Sequence, residues 1–392
     1  MRIVQINQFS YKAAGNIMMN LHKELLNRGI DSYVVWGRGR EAENEHEYYM
    51  NDPVGVRMHG VYTRATDRTG FGSTRATKKL LNWLDAIQPD IIHLHCIHGY
   101  YINIKLLFEY IRQNAIRVIW TQHDCWAFTG HCAYFDGIGC EKWRAGCEKC
   151  EQLHTYPASY VDASKENWND KKNLFTGLDI TIVTPCSWLK GVIEQSFLNE
   201  YIIQVIYNGI DTNVFRPTQG LFRKEKQLDD KLIILGVASE WTERKGLKDL
   251  IKLSQKLDKE KYQVVVVGLT QKQFKNIPDN IIALERTNNV GELVDIYSSA
   301  DLFFNPTYED NFPTTNLEAL ACGTSVLTYQ TGGSPESIKS GCGLVVKKGD
   351  IDACIDYIHS FEKNNDIKAS KLDERVFSVE SMLNKYWELY HE

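Results

Sequence analysis

The chain has 392 residues, of which 43% are hydrophobic and 24% are charged, a mixture ordinary for a globular protein with room for two domains. This composition excludes disorder, collagen and coiled coil as descriptions of the whole chain. The formal net charge is -5 and neither half carries an excess of basic residues, so we do not expect a nucleic-acid partner.

No stretch of the sequence predicts a membrane span. The longest apolar runs, such as Val264 to Val267, are strand-sized and far shorter than the roughly 20 residues that a span needs. The N-terminal segment "MRIVQINQFS" runs directly into a strand pattern without a charged leader or a cleavage site. We therefore expect a cytoplasmic protein.

Short apolar strands alternate with helix-length amphipathic stretches, a pattern typical of parallel sheets covered by helices. In the first half the pattern predicts a loop after the first strand, helices at 17–26 and 102–114, and strands at 3–6, 32–36, 91–94, 118–121, 180–184 and 205–207. In the second half it predicts strands at 232–237, 262–267, 302–305, 325–328 and 344–346, with helices between them.

A charged segment from Phe215 to Lys231 contains a proline and a glycine and has no sustained periodicity, which marks a domain boundary. The sequence therefore predicts two doubly wound, Rossmann-like α/β domains, at 1–214 and 215–377, that face each other across a cleft. A C-terminal helix within 378–392 would pack back on the first domain. Ligands of such domains bind beyond the carboxyl ends of the strands.

The most informative stretch is "NPTYEDNFPTTNLEALACGTSVLTYQTGGSPE", where a strand runs into a loop and then a helix that begins near Pro313. Thr314 and Thr315 would lie among free backbone N–H groups at the positive end of the helix, a site suited to a diphosphate. Asp310 precedes that helix and Glu318 lies just over one turn inside it, so both carboxylates could accept hydrogen bonds from sugar hydroxyls. Taken alone, two such acids also fit a dipole-complementing residue and a surface glutamate.

The combination of an acidic residue, seven residues, "EALACG" and then "GGSPE" resembles the signature of the retaining glycosyltransferases of family 4, which have the GT-B fold. That signature usually starts with Glu, whereas this chain has Asp310, one methylene shorter. The resemblance implies that Asp310 binds hydroxyls of the donor sugar and Glu318 holds the nucleotide ribose. It also implies that the backbone at Asn311, Phe312 and Pro313 lines the sugar pocket.

A second block, "GVASEWTERKGLKDL", places Arg244 and Lys245 after a strand. Two cations there could neutralise a departing diphosphate, the largest electrostatic need in glycosyl transfer from a nucleotide sugar. Alone they would more simply be a solvated pair in a loop. The resemblance assigns them to the donor phosphates, with Ser239 as a weaker phosphate or sugar contact.

In the first half, "FSYKAAGNI" is similar to the family's glycine-containing loop, with Gly15 and Asn16 near the donor phosphates. One glycine after a strand is weak evidence on its own. The "NG" turn of "IYNGIDTNVFRP" places Asn208 and Gly209 where they could line the cleft. We expect both residues to be mainly architectural.

Histidines cluster after two predicted strands, in "HLHCIHG" and "TQHDCW". The family places a histidine after the second of these strands, hydrogen-bonded to the donor sugar, and the resemblance gives that role to His123. His93, His95 and His98 are expected to be structural or to lie on the acceptor side.

Five of the ten cysteines lie in a glycine-rich insertion at 125–150. Cys132, Cys140, Cys147 and Cys150 end in a C-x-x-C element typical of zinc knuckles, although the earlier spacings are irregular. Four thiolates around a structural zinc would brace a segment with little apolar content, and free thiols or a disulfide explain the cluster equally well. The insertion resembles one in a bacterial branch of the family associated with surface polysaccharides.

Six basic residues crowd between positions 57 and 79, namely Arg57, Arg64, Arg68, Arg75, Lys78 and Lys79. Most such runs are solvated faces. In an enzyme with a lipid-linked glycan acceptor, this face could contact anionic headgroups and hold the protein at the inner face of the cytoplasmic membrane.

The resemblance implies a retaining transferase that moves a hexose from a UDP- or GDP-linked donor to a glycan of a capsule, exopolysaccharide or lipopolysaccharide. It also implies front-face attack within an ion pair and no catalytic metal. Two alternatives are a nucleotide-sugar epimerase or phosphorylase on the same fold, and a non-catalytic scaffold braced by the cysteines.

Overall fold

The computed structural model describes residues 1–361 and 369–392. The chain divides into two compact units, Met1–Ile206 with Leu383–Glu392, and Tyr207–Met382. The predicted boundary between residues 214 and 215 therefore lies inside the second unit. Within the second unit, Ile210 forms a parallel bridge with the distant residue Ser378 and accepts a 3.0 Å hydrogen bond from the N–H of Val379.

The first unit contains a seven-stranded sheet whose paired strands are all parallel. Its strands are β1 (Arg2–Phe9), β2 (Asp31–Arg38), β3 (Glu47–Tyr49), β4 (Ile91–Leu94), β5 (Arg117–Thr121), β6 (Ile180–Thr184) and β7 (Ile202–Val205). Its helices are α1 (Lys12–Asn27), α2 (Pro53–Thr66), α3 (Thr74–Ile87), α4 (Ile104–Gln113), α5 (Ser164–Phe175) and α6 (Ser187–Ile193). The strand order is β3-β2-β1-β4-β5-β6-β7, so the chain reverses its direction of winding between β1 and β4.

The second unit repeats this plan with a six-stranded parallel sheet. Its helices are α7 (Leu221–Glu225), α8 (Leu247–Lys256), α9 (Gln271–Phe274), α10 (Val290–Ser299), α11 (Thr314–Ala321), α12 (Ile351–Ser360) and α13 (Glu374–Phe377). Its strands are β8 (Leu232–Val237), β9 (Tyr262–Val267), β10 (Ile281–Leu284), β11 (Leu302–Asn305), β12 (Ser325–Tyr329) and β13 (Gly343–Val346). The strand order is β10-β9-β8-β11-β12-β13, which puts the reversal between β8 and β11.

Buried aliphatic strands form the centre of each sheet. Ile3, Val4 and Ile6 of β1 are fully buried, as are Ile234 and Leu235 of β8. Strands covered by helices on both faces require such continuous apolar runs, which is why the sequence pattern located them.

A helix α14 (Val379–His391) ends the chain, and the division between the units falls inside it. Its residues Tyr386, Leu389 and Tyr390 are buried. Tyr386 hydrogen-bonds Thr121 at 2.8 Å and Tyr390 hydrogen-bonds His93 at 2.6 Å, within the first unit. Among the residues that the structure describes, no helix combines the length and the apolar character of a membrane span.

The predicted strands are confirmed except for local shifts. The last strand of the first unit covers Ile202–Val205 rather than residues 205–207, and helix α1 begins at Lys12, earlier than predicted. The short edge strands β3 and β10 were not predicted. All three residues of β3 are only half-buried, and so are three of the four residues of β10, so neither leaves a clear apolar run.

Candidate donor and acceptor site

Two loops meet at the reversal point of the second sheet, one after β8 and one after β11. They bring Lys245 and Asp310 together, with Lys245 Nζ 2.5 Å from Asp310 Oδ2. The side chains are 24% and 16% exposed, so the pair is partly desolvated yet open to a ligand. Such reversal points are where open α/β sheets bind ligands.

Arg244 fixes the geometry of the same loops. Its guanidinium donates a 2.7 Å hydrogen bond to the carbonyl of Glu309, and its own carbonyl accepts a 2.7 Å bond from the N–H of Tyr308. Gly246 follows with a φ of +76°, and a Cβ there would lie 2.1 Å from the carbonyl oxygen of Pro306. A glycine is therefore required for the close approach of these loops.

Helix α11 begins directly after the Asp310 loop. Pro313 occupies the N-cap position, one residue earlier than the predicted first turn, and Thr314 and Thr315 form that turn. The first N–H groups of a helix lack acceptors within the helix and carry its positive dipole end. Asn311 and Phe312 are buried before it, and Phe312 packs against Tyr207.

Glu318 lies in the second turn of α11 and is half-buried. Its Oε2 accepts a 2.9 Å hydrogen bond from the hydroxyl of Tyr297. Burial raises the pKa of Glu318 from 4.5 to about 7, although the tyrosine bond acts in the opposite direction. A second carboxyl group thus lies on the helix that follows the Lys245–Asp310 pair, with its protonation state balanced near neutral pH.

The "GGSPE" segment supports the Asp310 loop through its backbone. Gly332 has a φ of +50°, and a Cβ there would lie 1.9 Å from the carbonyl oxygen of Asp310. Asn316 of α11 donates 3.0 Å hydrogen bonds to Ser334 and Ser337 and accepts one from Asn305 at 2.8 Å. This buried network joins the helix, the end of β11 and the GGSPE loop.

The remaining predicted residues of the second unit are more peripheral. Ser239 is exposed in the loop after β8. Asn208 and Gly209 are half-buried, and the N–H of Gly209 donates to Met382 Sδ at 3.3 Å. A Cβ at Gly209 would lie 2.5 Å from the carbonyl oxygen of Ser378, which is an architectural reason for the glycine.

In the first unit, His123 follows β5 and stacks on His95, with the rings 17° from parallel. The two rings are joined by a 3.1 Å contact between His95 Nδ1 and His123 Nε2, and His95 Nε2 lies 3.4 Å from Gln5 Oε1. Burial lowers the pKa of His123 to about 4 and that of His95 well below its usual value. Both imidazoles are therefore neutral at pH 7 and act as hydrogen-bonding groups.

The other two histidines of the cluster are also hydrogen-bonded. His98 contacts Asp124 at 2.7 Å through Nε2 and the hydroxyl of Tyr156 at 2.9 Å through Nδ1. His93 contacts Thr121 at 2.8 Å and is fully buried. These contacts join β4 to the end of β5, and the loop after β4 to the residue that follows His123.

Gly15 does not lie in a loop, as predicted, but in the first turn of α1. It is buried, and a Cβ there would lie 2.7 Å from the carbonyl oxygen of Phe9. The glycine thus allows close packing of helix on strand. The neighbouring Asn16 is exposed.

Of the six basic residues between positions 57 and 79, Arg68 is held inside the first unit. Arg68 forms an ion pair with Asp170, donates a 2.9 Å hydrogen bond to Asn167 and lies 3.9 Å from the centre of the Phe71 ring. It therefore holds α5 rather than presenting its charge to a surface. The other five residues are exposed on α2 and α3: Arg57, Arg64, Arg75, Lys78 and Lys79.

The four predicted zinc ligands, Cys132, Cys140, Cys147 and Cys150, line one cavity in the first unit and form no disulfide. Sequence reasoning missed His131, which lines this cavity, and Lys171, whose Nζ donates a 3.0 Å hydrogen bond to the carbonyl of the lining residue Thr129. His131 directly precedes Cys132, and that adjacency was the available signal. A fully buried lysine such as Lys171 leaves no signal, because it lies on a polar helix.

The structure superposes on solved structures over nine-tenths or more of its length. Anabaena HepE, solved in complex with UDP-glucose, superposes with a TM-score of 0.66 at 13% identity. The superposition covers 100% of this chain and 99% of the HepE chain. WaaG, a glycosyltransferase involved in lipopolysaccharide biosynthesis, gives a TM-score of 0.62 at 13% identity over 91% of this chain and 90% of its own. The fold is GT-B, which confirms the predicted fold class.

Sequence comparison gives the family. The model of Glycosyltransferase Family 4 matches residues 14–214, more than half of the chain, and the model of Glycosyl transferases group 1 matches residues 219–377. The chain therefore belongs to the family 4 glycosyltransferases. A similar full-length relative, 22% identical over 378 residues and covering 90% of this chain and 88% of its own, is the putative colanic acid biosynthesis glycosyl transferase WcaC of Escherichia coli K12.

Proposed function

We propose that this glycosyltransferase moves a hexose from a UDP- or GDP-sugar to a glycan acceptor, with retention of configuration, in the biosynthesis of a bacterial surface polysaccharide. The observation that carries the proposal is the Lys245–Asp310 pair at the reversal point of the second sheet, with Glu318 on the helix that follows. The name of WcaC supports the pathway, and the UDP-glucose complex of HepE supports the class of donor.

The leaving group is a nucleoside diphosphate, which gains negative charge as the glycosidic bond breaks. Arg244 and Lys245 supply positive charge beside the N-terminal end of α11, so cations and helix N–H groups together would stabilise that charge. Lys245 forms an ion pair with Asp310. A bound diphosphate would compete for Lys245 and release the Asp310 carboxylate to accept hydrogen bonds from the hexose hydroxyls.

Glu318 would bind the ribose of the nucleotide. One carboxylate accepts hydrogen bonds from two vicinal hydroxyls, and Tyr297 orients it by donating to Oε2. Ribose hydroxyls that donate to the ionised form would lower the raised pKa of Glu318 and keep the group charged at pH 7.

We propose front-face substitution for the chemical step. The bond between the anomeric carbon and the diphosphate oxygen breaks, the acceptor hydroxyl attacks from the same face, and the departing phosphate oxygen takes the acceptor's proton. Neither Asp310 nor Glu318 is assigned as a covalent nucleophile. His123, neutral at pH 7, would hold a sugar hydroxyl by a hydrogen bond rather than by charge.

Exposed apolar residues on α2 support an acceptor at a membrane surface. Four of them share one face of the helix at positions i, i+4, i+7 and i+8. They are 42% to 68% exposed and form what we call the α2 stripe: Val54, Met58, Val61 and Tyr62. Basic residues of α2 and α3 lie nearby in sequence, and an apolar face with adjacent cations is typical of helices that bind anionic bilayers in plane.

The α2 stripe is tested by flotation with vesicles of phosphatidylglycerol and of phosphatidylcholine. We expect the chain to float with the anionic vesicles and the double variant Val54→Glu, Val61→Glu to remain at the bottom. Val290→Glu, at a 48% exposed position of α10, is the matched control and should float normally. Equal flotation of both variants would contradict the membrane contact.

The transfer activity is tested with a panel of UDP- and GDP-sugars. We expect one donor to raise the melting temperature and, with a lipid-linked glycan acceptor, to give a product of the same anomeric configuration. Conversion of the donor sugar without transfer would instead indicate an epimerase, and phosphate-dependent cleavage a phosphorylase. No binding of any nucleotide sugar would leave the cysteine-braced scaffold as the better explanation.

A further inference from the structure

The cysteine-rich insertion contains a cavity with more potential metal ligands than the four cysteines. Cys132, Cys140, Cys147 and Cys150 line it, and so does His131. All four thiols are free of disulfides. The N–H of Gly130 already donates to Cys147 Sγ at 3.2 Å, an interaction that would strengthen if the sulfur were a thiolate.

His131 has an unsatisfied nitrogen. Its side chain is completely buried, and its Nδ1 lies 2.5 Å from Asp67 Oδ1. Its Nε2 has no hydrogen-bond partner among the described residues. Buried polar atoms without a partner are rare, so this one requires an explanation. If Nδ1 carries the hydrogen and donates it to Asp67, Nε2 has a free lone pair. The ring that carries Nε2 lines the cavity.

Asp67 is positioned to hold the ring in place. It caps α2 with a φ of 60°, and its Oδ2 accepts a 3.1 Å hydrogen bond from the N–H of Ala163. Asn167 donates a 2.6 Å bond to its carbonyl oxygen. A carboxylate that accepts from one nitrogen of a histidine while the other binds a metal is a recurrent arrangement in zinc proteins.

We propose that this cavity binds a structural zinc ion through His131 Nε2 and three of the four cysteine thiolates. Structural zinc sites are four-coordinate with sulfur and nitrogen ligands, and thiolates with imidazole favour zinc over magnesium or calcium. Four cysteines and one histidine line the cavity, so a four-coordinate site that includes His131 leaves one thiol outside the coordination shell. The ion would fix the loop that follows His123 and Asp124, and its presence does not depend on the transfer reaction.

A second cluster competes for the same metal. Within residues 1–361 and 369–392, the group of three ligand atoms that lie within 4.8 Å of one another is formed by Cys96, His98 and Asp124. The cysteine cavity does not meet this spacing, so zinc would draw its thiols inward. Both nitrogens of His98, however, are already hydrogen-bonded, to Asp124 and Tyr156. Of these two sites in the described part of the chain, the cavity at His131 is the one with a histidine nitrogen that lacks a hydrogen-bond partner.

The direct test is zinc analysis and X-ray absorption spectroscopy of the wild-type protein after passage over a chelating resin. We expect about one zinc per chain, with one nitrogen ligand at about 2.0–2.1 Å and three sulfur ligands at about 2.3 Å. A chain without zinc, or zinc with four sulfur ligands, would overturn the proposal. This measurement needs no variant and therefore no assumption about variant folding.

Variants then assign the ligands. Because the N–H of Gly130 already donates to Cys147 Sγ, we assign Cys147 to the coordination shell. We therefore expect Cys147→Ser and His131→Gln each to retain less than a tenth of the wild-type zinc. The matched controls Cys342→Ser, in the other unit, and His154→Gln, exposed just after the insertion, should retain all of it. Loss of zinc in Cys96→Ser would place the metal in the competing cluster and overturn the proposal.

A rescue distinguishes a ligand from a merely structural histidine. His131→Cys replaces the imidazole by another zinc ligand, and we expect it to restore about one zinc per chain. The cobalt-substituted form of this variant should show stronger thiolate-to-metal charge transfer than cobalt-substituted wild type. An absorption spectrum identical to that of the wild type would mean that residue 131 does not bind the metal.

Discussion

Removing the Lys245 side chain is the sharpest test of the donor site. Lys245→Ala deletes the ammonium group that lies 2.5 Å from Asp310 and leaves that carboxylate, 16% exposed, without its cation. The variant would therefore lose an attraction for the diphosphate and gain an unscreened negative charge beside it. Both effects oppose departure of the leaving group.

The size of the expected loss in kcat/KM follows from the contact between two ionised groups. A hydrogen bond between ionised groups contributes about 1.5–3 kcal/mol, which corresponds to a factor of about 10 to 150. Preorganised groups that stabilise transition-state charge have similar or larger effects, about 100- to 1000-fold. We therefore expect kcat/KM to fall about 100-fold. Most of the loss should lie in kcat, because the charge on the diphosphate develops in the transition state.

The assay is the initial rate of nucleoside diphosphate release, measured against donor concentration with the acceptor in excess. Lys248→Ala is the matched control, since Lys248 has the same charge three residues away but pairs with Glu243 at the surface, where they are 78% and 86% exposed. We expect that control to stay within twofold of wild type and Lys245→Arg to recover part of the loss. A Lys245→Ala variant within threefold of wild type would refute the assignment.

Two further predictions concern the same unit. The pKa of Glu318 is raised from 4.5 to about 7 in the folded chain, so the folded chain binds this proton more tightly than the unfolded chain does. The stability that the proton contributes is therefore complete below about pH 4.5 and is lost as the pH rises through 7. Glu318→Gln should therefore melt at a higher temperature than wild type at about pH 8 and at the same temperature at about pH 4; a gap independent of pH would contradict the raised pKa. Gly332→Ala should lower the melting temperature and raise the donor KM, because its Cβ would lie 1.9 Å from the Asp310 carbonyl oxygen. Gly341→Ala, at a φ of +81° with nothing within 4 Å, measures backbone strain alone, and equal losses in both variants would show that the Asp310 contact is irrelevant.

The sequence predicts the sheets well because most strands of a covered parallel sheet are apolar throughout. It predicts the start of α1 poorly, since the first turn contains Lys12, two alanines and Gly15, which carry no amphipathic signal. Residue types alone likewise suggested a six-member basic cluster. Only the structure shows that Arg68 is held by Asp170 and Asn167, because those partners lie about a hundred positions further along the chain.

In the candidate site, too, the sequence identified residues but not their contacts with residues far along the chain. The resemblance to the family, carried by the order of its motifs, nominated Lys245 and Asp310 as parts of one site. It could not show that they contact each other, because 65 positions separate them and their meeting depends on the order of β8 and β11 in the sheet. The Tyr297 partner of Glu318 was also missed, since a tyrosine on an apolar helix face is indistinguishable from a core residue.

The C-terminal helix α14 likewise makes contacts in the first unit that the sequence did not reveal. Periodicity located α14 but could not identify its polar partners, which lie 297 and 265 positions away in the contacts of Tyr390 with His93 and of Tyr386 with Thr121. Burial lowers the pKa of His93 to about 3 and raises the pKa of both tyrosines, so these groups are uncharged at pH 7 and joined by neutral hydrogen bonds. Neutral bonds of this kind are directional, and they fix the ends of β4 and β5, the strands that lead to His95 and His123. The last turns of the chain therefore orient the histidine pair of the first unit.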